Sequence, residues 1–262
     1  MIASRSLWCA AALLVTVTGA RGATSGPAND LHAAIERGNA SYARGQLREA
    51  LVAYQLANSE DAAHYGALCG LARVEAELGE EASGEERRRL IAASVEHARA
   101  AIKAAPDRPE AHVWLAVGLG RQAQMEGPKT RAALWREIKS ELDRAIGIEP
   151  GIARTYLERG RWNRRLARRG IWERVVSKVL LAKVPRGASM DNAVRDLEKA
   201  VELAPEAIEA HIELGRAYLE LERPMDARRE LERAVSIPAG RPHDPGLQTQ
   251  AREILEKLAK RG

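Results

Sequence analysis

The chain has 262 residues, enough for one or two ordinary domains, and carries 41 Lys/Arg against 36 Asp/Glu for a formal net charge of +5. Alanine, leucine, arginine and glutamate dominate, Phe is absent and β-branched runs are few, which favours helix throughout. Only two cysteines are present, one of them inside a leader-like segment, so a disulfide framework is excluded and packing must hold the fold.

The first residues read as an export signal. Arg5 gives the positive start, Leu7 to Val17 the apolar run, and Thr18-Gly19-Ala20 a small-residue cleavage site. Cleavage is expected after Ala20, leaving an exported protein, periplasmic or secreted. The run is too short for a spanning helix, which needs ~20 apolar residues. Cys9 lies inside it without the leucine–small–small pattern of a lipid anchor. Cys69, the cysteine that remains, sits in an apolar helical run and reads as a small buried hydrophobe. Residues 21–30 are expected to be a flexible N-terminus, with Asn29 or Asp30 capping the first helix.

From Leu31 a repeat of about 34 residues sets in. Gly38, Gly45, Ala50, Tyr54 and Ala57 mark the first unit, about 31–64. Leu68, Leu71, Ala72 and Gly79 keep the register in the second, about 65–108, whose second helix is delayed by the charged run Glu80 to Arg89, expected as a solvated loop and helix start. The third, about 109–152, turns at Glu126-Gly127-Pro128-Lys129-Thr130 and closes on Leu142, Ala145 and Pro150. The fourth, about 153–207, carries Tyr156 and Gly160, then a long basic and apolar insert, then Ala193, Leu197, Ala200 and Pro205. The fifth, about 208–241, has His211, Leu214, Gly215, Tyr218, Ala227, Leu231, Ala234 and Pro238. Residues 239–246 read as a loop, and 247–262 as a helix whose Leu247, Ala251, Ile254, Leu255 and Leu258 share one face.

This spacing resembles the tetratricopeptide repeat. Small residues let paired helices approach, larger apolar ones fill the gap, and proline ends the second helix. A helix pair cannot bury its apolar face alone, so neighbours stack. The expected fold is all-α: a right-handed superhelical solenoid of tetratricopeptide-like helix pairs over residues 31–246, with a C-terminal capping helix.

From His112 onward a narrower likeness appears. HVWLAVGLGRQAQMEGPKTR, EIKSELDRAIGIEP, LERGRWN and IWERVVSKVLLAKVPRGASMDNAV occur in this order. They include an E-G-x-K turn (Glu126, Gly127, Lys129), a G-R-W (Gly160, Arg161, Trp162), and a W-x-E helix (Trp172, Glu173) ending near Pro185. The set resembles the regulator of microtubule dynamics family, whose eukaryotic members are associated with microtubules or membrane contacts. The resemblance implies a non-enzymatic helical-repeat protein, here with a bacterial-looking composition.

Charge is unevenly spread. Residues 152–187 hold eleven Lys/Arg and two Asp/Glu, whereas 21–108, 109–151 and 188–262 are balanced or net acidic. In the tetratricopeptide pattern, position 9 of each first helix faces the concave groove. Asn39, Arg73, Val117, Arg161 and Arg216 stand there, and Arg154, Arg164, Arg165 and Arg168 add to the fourth unit. The functional expectation is an anion-recognising groove for an acidic protein or peptide. The alternative is a solvated face in which Glu36, Glu110, Glu209 and Glu213 pair some of the arginines. A second candidate face is the insert, where Trp172 belongs to an apolar helical stripe flanked by Arg174, Lys178 and Lys183. That stripe suits either an anionic lipid surface or packing on neighbouring helices. Nucleic acid ranks behind peptide and lipid, because export argues against it.

No H-E-x-x-H or G-x-S-x-G occurs. His32, His64, His97, His112, His211 and His243 are scattered, Gly118-Leu119-Gly120 lacks a preceding strand, and Gly127-Pro128-Lys129-Thr130 lacks the glycine before lysine of a phosphate loop. No catalytic residue, metal site or cofactor is expected.

Overall fold

The computed structural model describes residues 27–176 and 188–260, with backbone only for 27–29 and 169–176. The leader-like segment expected over the first twenty residues and Cys9 lie outside the described residues, as do Lys178 and Lys183, and nothing is described of the side chains of Trp172 and Arg174. The described residues form eleven helices: α1 Pro27–Ala43, α2 Leu47–Glu60, α3 Tyr65–Glu81, α4 Gly84–Ala104, α5 Pro109–Met125, α6 Pro128–Ile148, α7 Ala153–Val176, α8 Met190–Leu203, α9 Ile208–Glu220, α10 Pro224–Ser236 and α11 Asp244–Ala259. Consecutive helices pack as antiparallel pairs, α1 on α2 through α9 on α10, and each first helix also touches the first helix of the next pair. α11 packs on α10 and α9, covering the last pair.

Two boundaries differ from expectation. α1 begins at Pro27, so Asn29 and Asp30 lie in its first turn rather than capping it; proline at a helix start costs no hydrogen bond. The charged run Glu80 to Arg89 is almost wholly helical. α3 ends at Glu81 and α4 starts at Gly84, with Glu85 and Glu86 in its first turn, where the helix dipole favours acids. The extra length therefore extends the pair instead of looping out.

Small residues set the spacing within pairs. A Cβ at Gly160 would lie 2.6 Å from Leu197 Cγ, and one at Gly215 2.9 Å from Leu231 Cγ, the same contact in consecutive units. Gly160→Val is thus expected to destabilise the fold by about 1–3 kcal/mol through overpacking, read as a fall in thermal midpoint. Histidines repeat as well. His112 meets Glu141 through Nδ1 (2.6 Å) and the Pro106 carbonyl through Nε2 (3.0 Å). His211 meets Glu230 (2.9 Å) and the Pro205 carbonyl (3.0 Å) in the same way. Each ring ties its unit to the proline that closes the one before. The hydrogen bond to His211 holds the Glu230 carboxyl below its ordinary range.

Cys69 is partly covered, and burial pushes its thiol up to about 11, away from thiolate chemistry. At the far end the superhelix returns on itself. Gly45, in the turn after α1 with φ +74°, comes so close to the loop before α11 that a Cβ there would lie 2.5 Å from Pro242 Cβ. The first turn and the last loop are thus in contact.

Candidate functional site

The concave side holds a cavity of about 870 Å³, within the usual range for ligand sites. α3, α4, α5, α6, α7, α9 and α11 all contribute to it. Part of its lining is apolar: Val117, Ala123, Trp135, Ile138, Leu142 and Leu166. The rest is mostly guanidinium, with Arg161, Arg164, Arg165 and Arg168 from α7, Arg216 from α9, and Arg87 and Arg121 from α4 and α5.

The G-R-W of α7 places three consecutive side chains in three environments. Gly160 admits Leu197 between the helices. Arg161 projects to the cavity. Trp162 is buried and donates its indole N–H to the Trp135 carbonyl at 3.0 Å, fixing α7 on α6. The E-G-x-K turn is likewise held from within: the Arg131 guanidinium donates to the Ala123 and Glu126 carbonyls at the end of α5.

The arginine row is heavily compensated by the chain itself. Arg161 reaches Glu209 (2.6 Å), Glu158 (3.1 Å) and Glu213 (3.5 Å). Arg164 reaches Glu220 (2.6 Å) and Glu213 (2.9 Å), and Arg216 reaches Glu213 (2.8 Å). Arg154 pairs with Glu158 (2.9 Å) and Glu209 (3.2 Å), and its guanidinium lies 5.2 Å from the Trp114 ring. Burial alone would raise the two central carboxyls. The charges of Arg161 and then Arg154 outweigh it and hold Glu209 at about 2, and Arg161 with Arg164 and Arg216 holds Glu213 below its ordinary range. The net positive segment of α7 therefore lies against the acidic first helix of the fifth unit.

The expected groove residues divide accordingly. Arg161, Arg164, Arg165, Arg168 and Arg216 share the cavity. Asn39, Arg73 and Arg154 do not line it. Asn39 accepts from the Tyr54 hydroxyl at 2.7 Å, while Arg73 donates to that hydroxyl at 2.9 Å and stacks 3.7 Å from the Tyr42 ring centre. Aromatic neighbours in the first two units engage these positions, so the continuous ladder is corrected to a row confined to the fourth and fifth units. Of the acids expected to pair, Glu209 and Glu213 do so. Glu110 instead accepts from Tyr65 (3.0 Å), and Glu36 meets His32 on the surface. The repeat pattern does not anticipate Arg87, Arg121 and Glu80 here. Arg87 and Glu80 belong to the charged run that is helical, and Arg121 falls beyond the groove positions of the repeat. Among the described residues, no group of His, Cys, Asp or Glu could hold a metal ion, and no helix is long and apolar enough to cross a membrane.

Stacked helix pairs around a concave surface define a tetratricopeptide-type solenoid. A thermophilic TPR protein from Thermus thermophilus superposes with a TM-score of 0.66 at 19% identity, over 86% of this chain and 98% of that one. The Pseudomonas aeruginosa pilF structure gives 0.54 at 14% identity, over 88% and 87%. At such identities the likeness shows the fold alone. The chain belongs to the regulator of microtubule dynamics family: the model for Regulator of microtubule dynamics protein 1-3 matches residues 34–259, well upstream of the motifs that begin at His112. Regulator of microtubule dynamics protein 1 of Mus musculus is 28% identical over 214 residues, 81% of this chain and 69% of its own length. Protein 3 of Rattus norvegicus is 29% identical over 185 residues, 70% of this chain but 39% of its own length. This is a family of helical-repeat scaffolds, not of enzymes.

Proposed function

We propose that the protein is an exported scaffold that takes a peptide segment of a partner protein, acidic and apolar in alternation, into its concave cavity. The observation that carries the reading is the two-natured lining, in which Trp135, Ile138, Leu142 and Leu166 share one space with Arg87, Arg121 and Arg165. Apolar side chains would supply the binding area and guanidinium groups the selectivity for carboxylate. Export is supported by the leader-like first twenty residues read from the sequence.

Gly120 gives a clean test. It lines the cavity on α5, and a Cβ there would meet nothing within 4 Å. Gly120→Trp should therefore occupy the cavity while leaving the fold intact, helped by the better helix propensity of tryptophan over glycine. Peptides selected by display against the native chain should lose at least tenfold in affinity for this variant, at an unchanged thermal midpoint. Undiminished binding would remove the cavity from the explanation.

A second reading, an anionic lipid in the same cavity, draws on the same apolar wall. Flotation with phosphatidylglycerol vesicles distinguishes the two, since peptide binding predicts no flotation at low salt.

A further inference from the structure

Within that reading, and depending on it, the cavity's arginines are not equivalent. Arg161, Arg164 and Arg216 already meet Glu158, Glu209, Glu213 or Glu220. Their terminal donors are already spent on this chain's own groups, those of Arg216 on Glu213 and Gln250. Arg161 and Arg164 each leave Nε without a partner, but both terminal nitrogens of each are taken. Among the cavity's other guanidinium groups, Arg165, Arg87 and Arg121 keep terminal donors unspent. The Arg165 side chain, on α7, forms no hydrogen bond or ion pair among the described residues although it lines the cavity. The Arg87 side chain, on α4, is in the same condition. Arg121, on α5, gives one nitrogen to Glu80, but its Nη1 is buried with no partner. Arg165 is exposed to the cavity and Arg87 half-buried, so both are free to meet a guest; the Arg121 Nη1 donor is buried and unmatched, a cost that a guest acceptor relieves.

We infer that the anion-recognising subsite of the cavity is formed by Arg165, Arg87 and Arg121, and that the Arg161–Arg164–Arg216 row is a structural ion network rather than the place where the ligand's charge is bound. The ligand chemistry is a peptide carboxylate, held by forked donors from three successive units. Desolvation, with the neighbouring Arg161 and Arg164 charges, lowers the Arg165 guanidinium below its ordinary range against the opposing pull of Glu158 and Glu213.

The test uses the full chain labelled with ¹⁵N at arginine side chains. It is titrated with a short peptide alternating leucine and glutamate, with its leucine–glutamine counterpart, and with inorganic phosphate. The glutamate peptide is expected to move the side-chain signals of Arg165 and Arg121 and leave those of Arg161 and Arg164 in place. Arg165→Gln should weaken that peptide at least tenfold, Arg216→Gln less than twofold, and phosphate alone should move the same Arg165 signal at higher concentration. If Arg161 and Arg216 respond while Arg165 is silent, the subsite is overturned and the cavity reading stands. Equal affinity for the glutamine peptide likewise removes the anion subsite alone. Binding that is indifferent to Gly120→Trp overturns both.

Discussion

Arg161→Met is expected to destabilise the protein by about 3–5 kcal/mol at neutral pH, the usual cost of leaving buried charges without their partner. Methionine keeps most of the length of the side chain, so the loss reports charge more than volume. The removed guanidinium touches Glu158, Glu209 and Glu213. Glu213 is almost fully covered, and Glu209 is three-quarters covered. Arg154, Arg164 and Arg216 remain, but their bonds are already committed to the same acids.

The pH dependence makes the prediction specific. Glu209 is held at about 2, below its unfolded value of ~4.3. A depressed carboxyl contributes stability above its unfolded pKa and loses it as pH falls toward the folded one. Its share here is on the order of 3 kcal/mol, present above about pH 5 and lost progressively toward pH 2. Glu213 acts with the same sign. The gap between native and Arg161→Met chains in urea denaturation should therefore be widest near pH 7 and narrow steadily below pH 5, as the abandoned acids take up protons. A gap independent of pH would mean that Arg161 acts through packing of its stem and not through its charge.

The same network shows why the site is only partly legible in the chain. The register of glycines, alanines and prolines reports contacts inside a helix pair and between adjacent pairs. Gly160 against Leu197 and Gly215 against Leu231 are such contacts, and so are the His112 and His211 ties. They follow from spacing, and spacing is written in the chain. Which charges face one another across the concave side depends on how far each pair rotates on the last. Glu209 and Glu213 are named by the sequence as acids that pair with arginines, but they lie about fifty residues from Arg161, and spacing alone does not say which guanidinium groups they meet. Arg87 and Arg121 elude the pattern for a related reason. One sits in a segment whose charge density suggests loop, although Glu and Arg are good helix formers, and the other lies off the groove positions of an idealised unit. Repeat position alone sends Arg73 to the groove, but its partners Tyr42 and Tyr54 are aromatic residues of the preceding unit, and cation–π and hydroxyl contacts compete with a groove-facing rotamer.

At the opposite end of the solenoid, Tyr54→Ala should be as damaging, at about 3–5 kcal/mol, the range for emptying a buried aromatic site. Tyr54 is fully buried. Its ring fills the space left by two glycines, since a Cβ at either Gly38 or Gly70 would lie 2.5 Å from the ring. Its hydroxyl donates to Asn39 and accepts from Arg73, so one side chain joins α1, α2 and α3. Tyr54→Phe keeps the ring and removes only these bonds, and should cost about 1–2 kcal/mol. Gly70→Ala approaches the same contact from the other partner. Alanine would gain up to about 1 kcal/mol of helix propensity, but the added methyl must displace the ring, at about 1–3 kcal/mol. A net loss that is relieved when Gly70→Ala is combined with Tyr54→Leu would identify the ring as the obstacle. Because repeat stacks gain stability mainly from nearest neighbours, amide exchange in Tyr54→Ala should accelerate across α1 to α3 and remain near native in α9 and α10. Uniform acceleration along the whole chain would instead show that the contact between Gly45 and Pro242 makes the solenoid unfold as one unit.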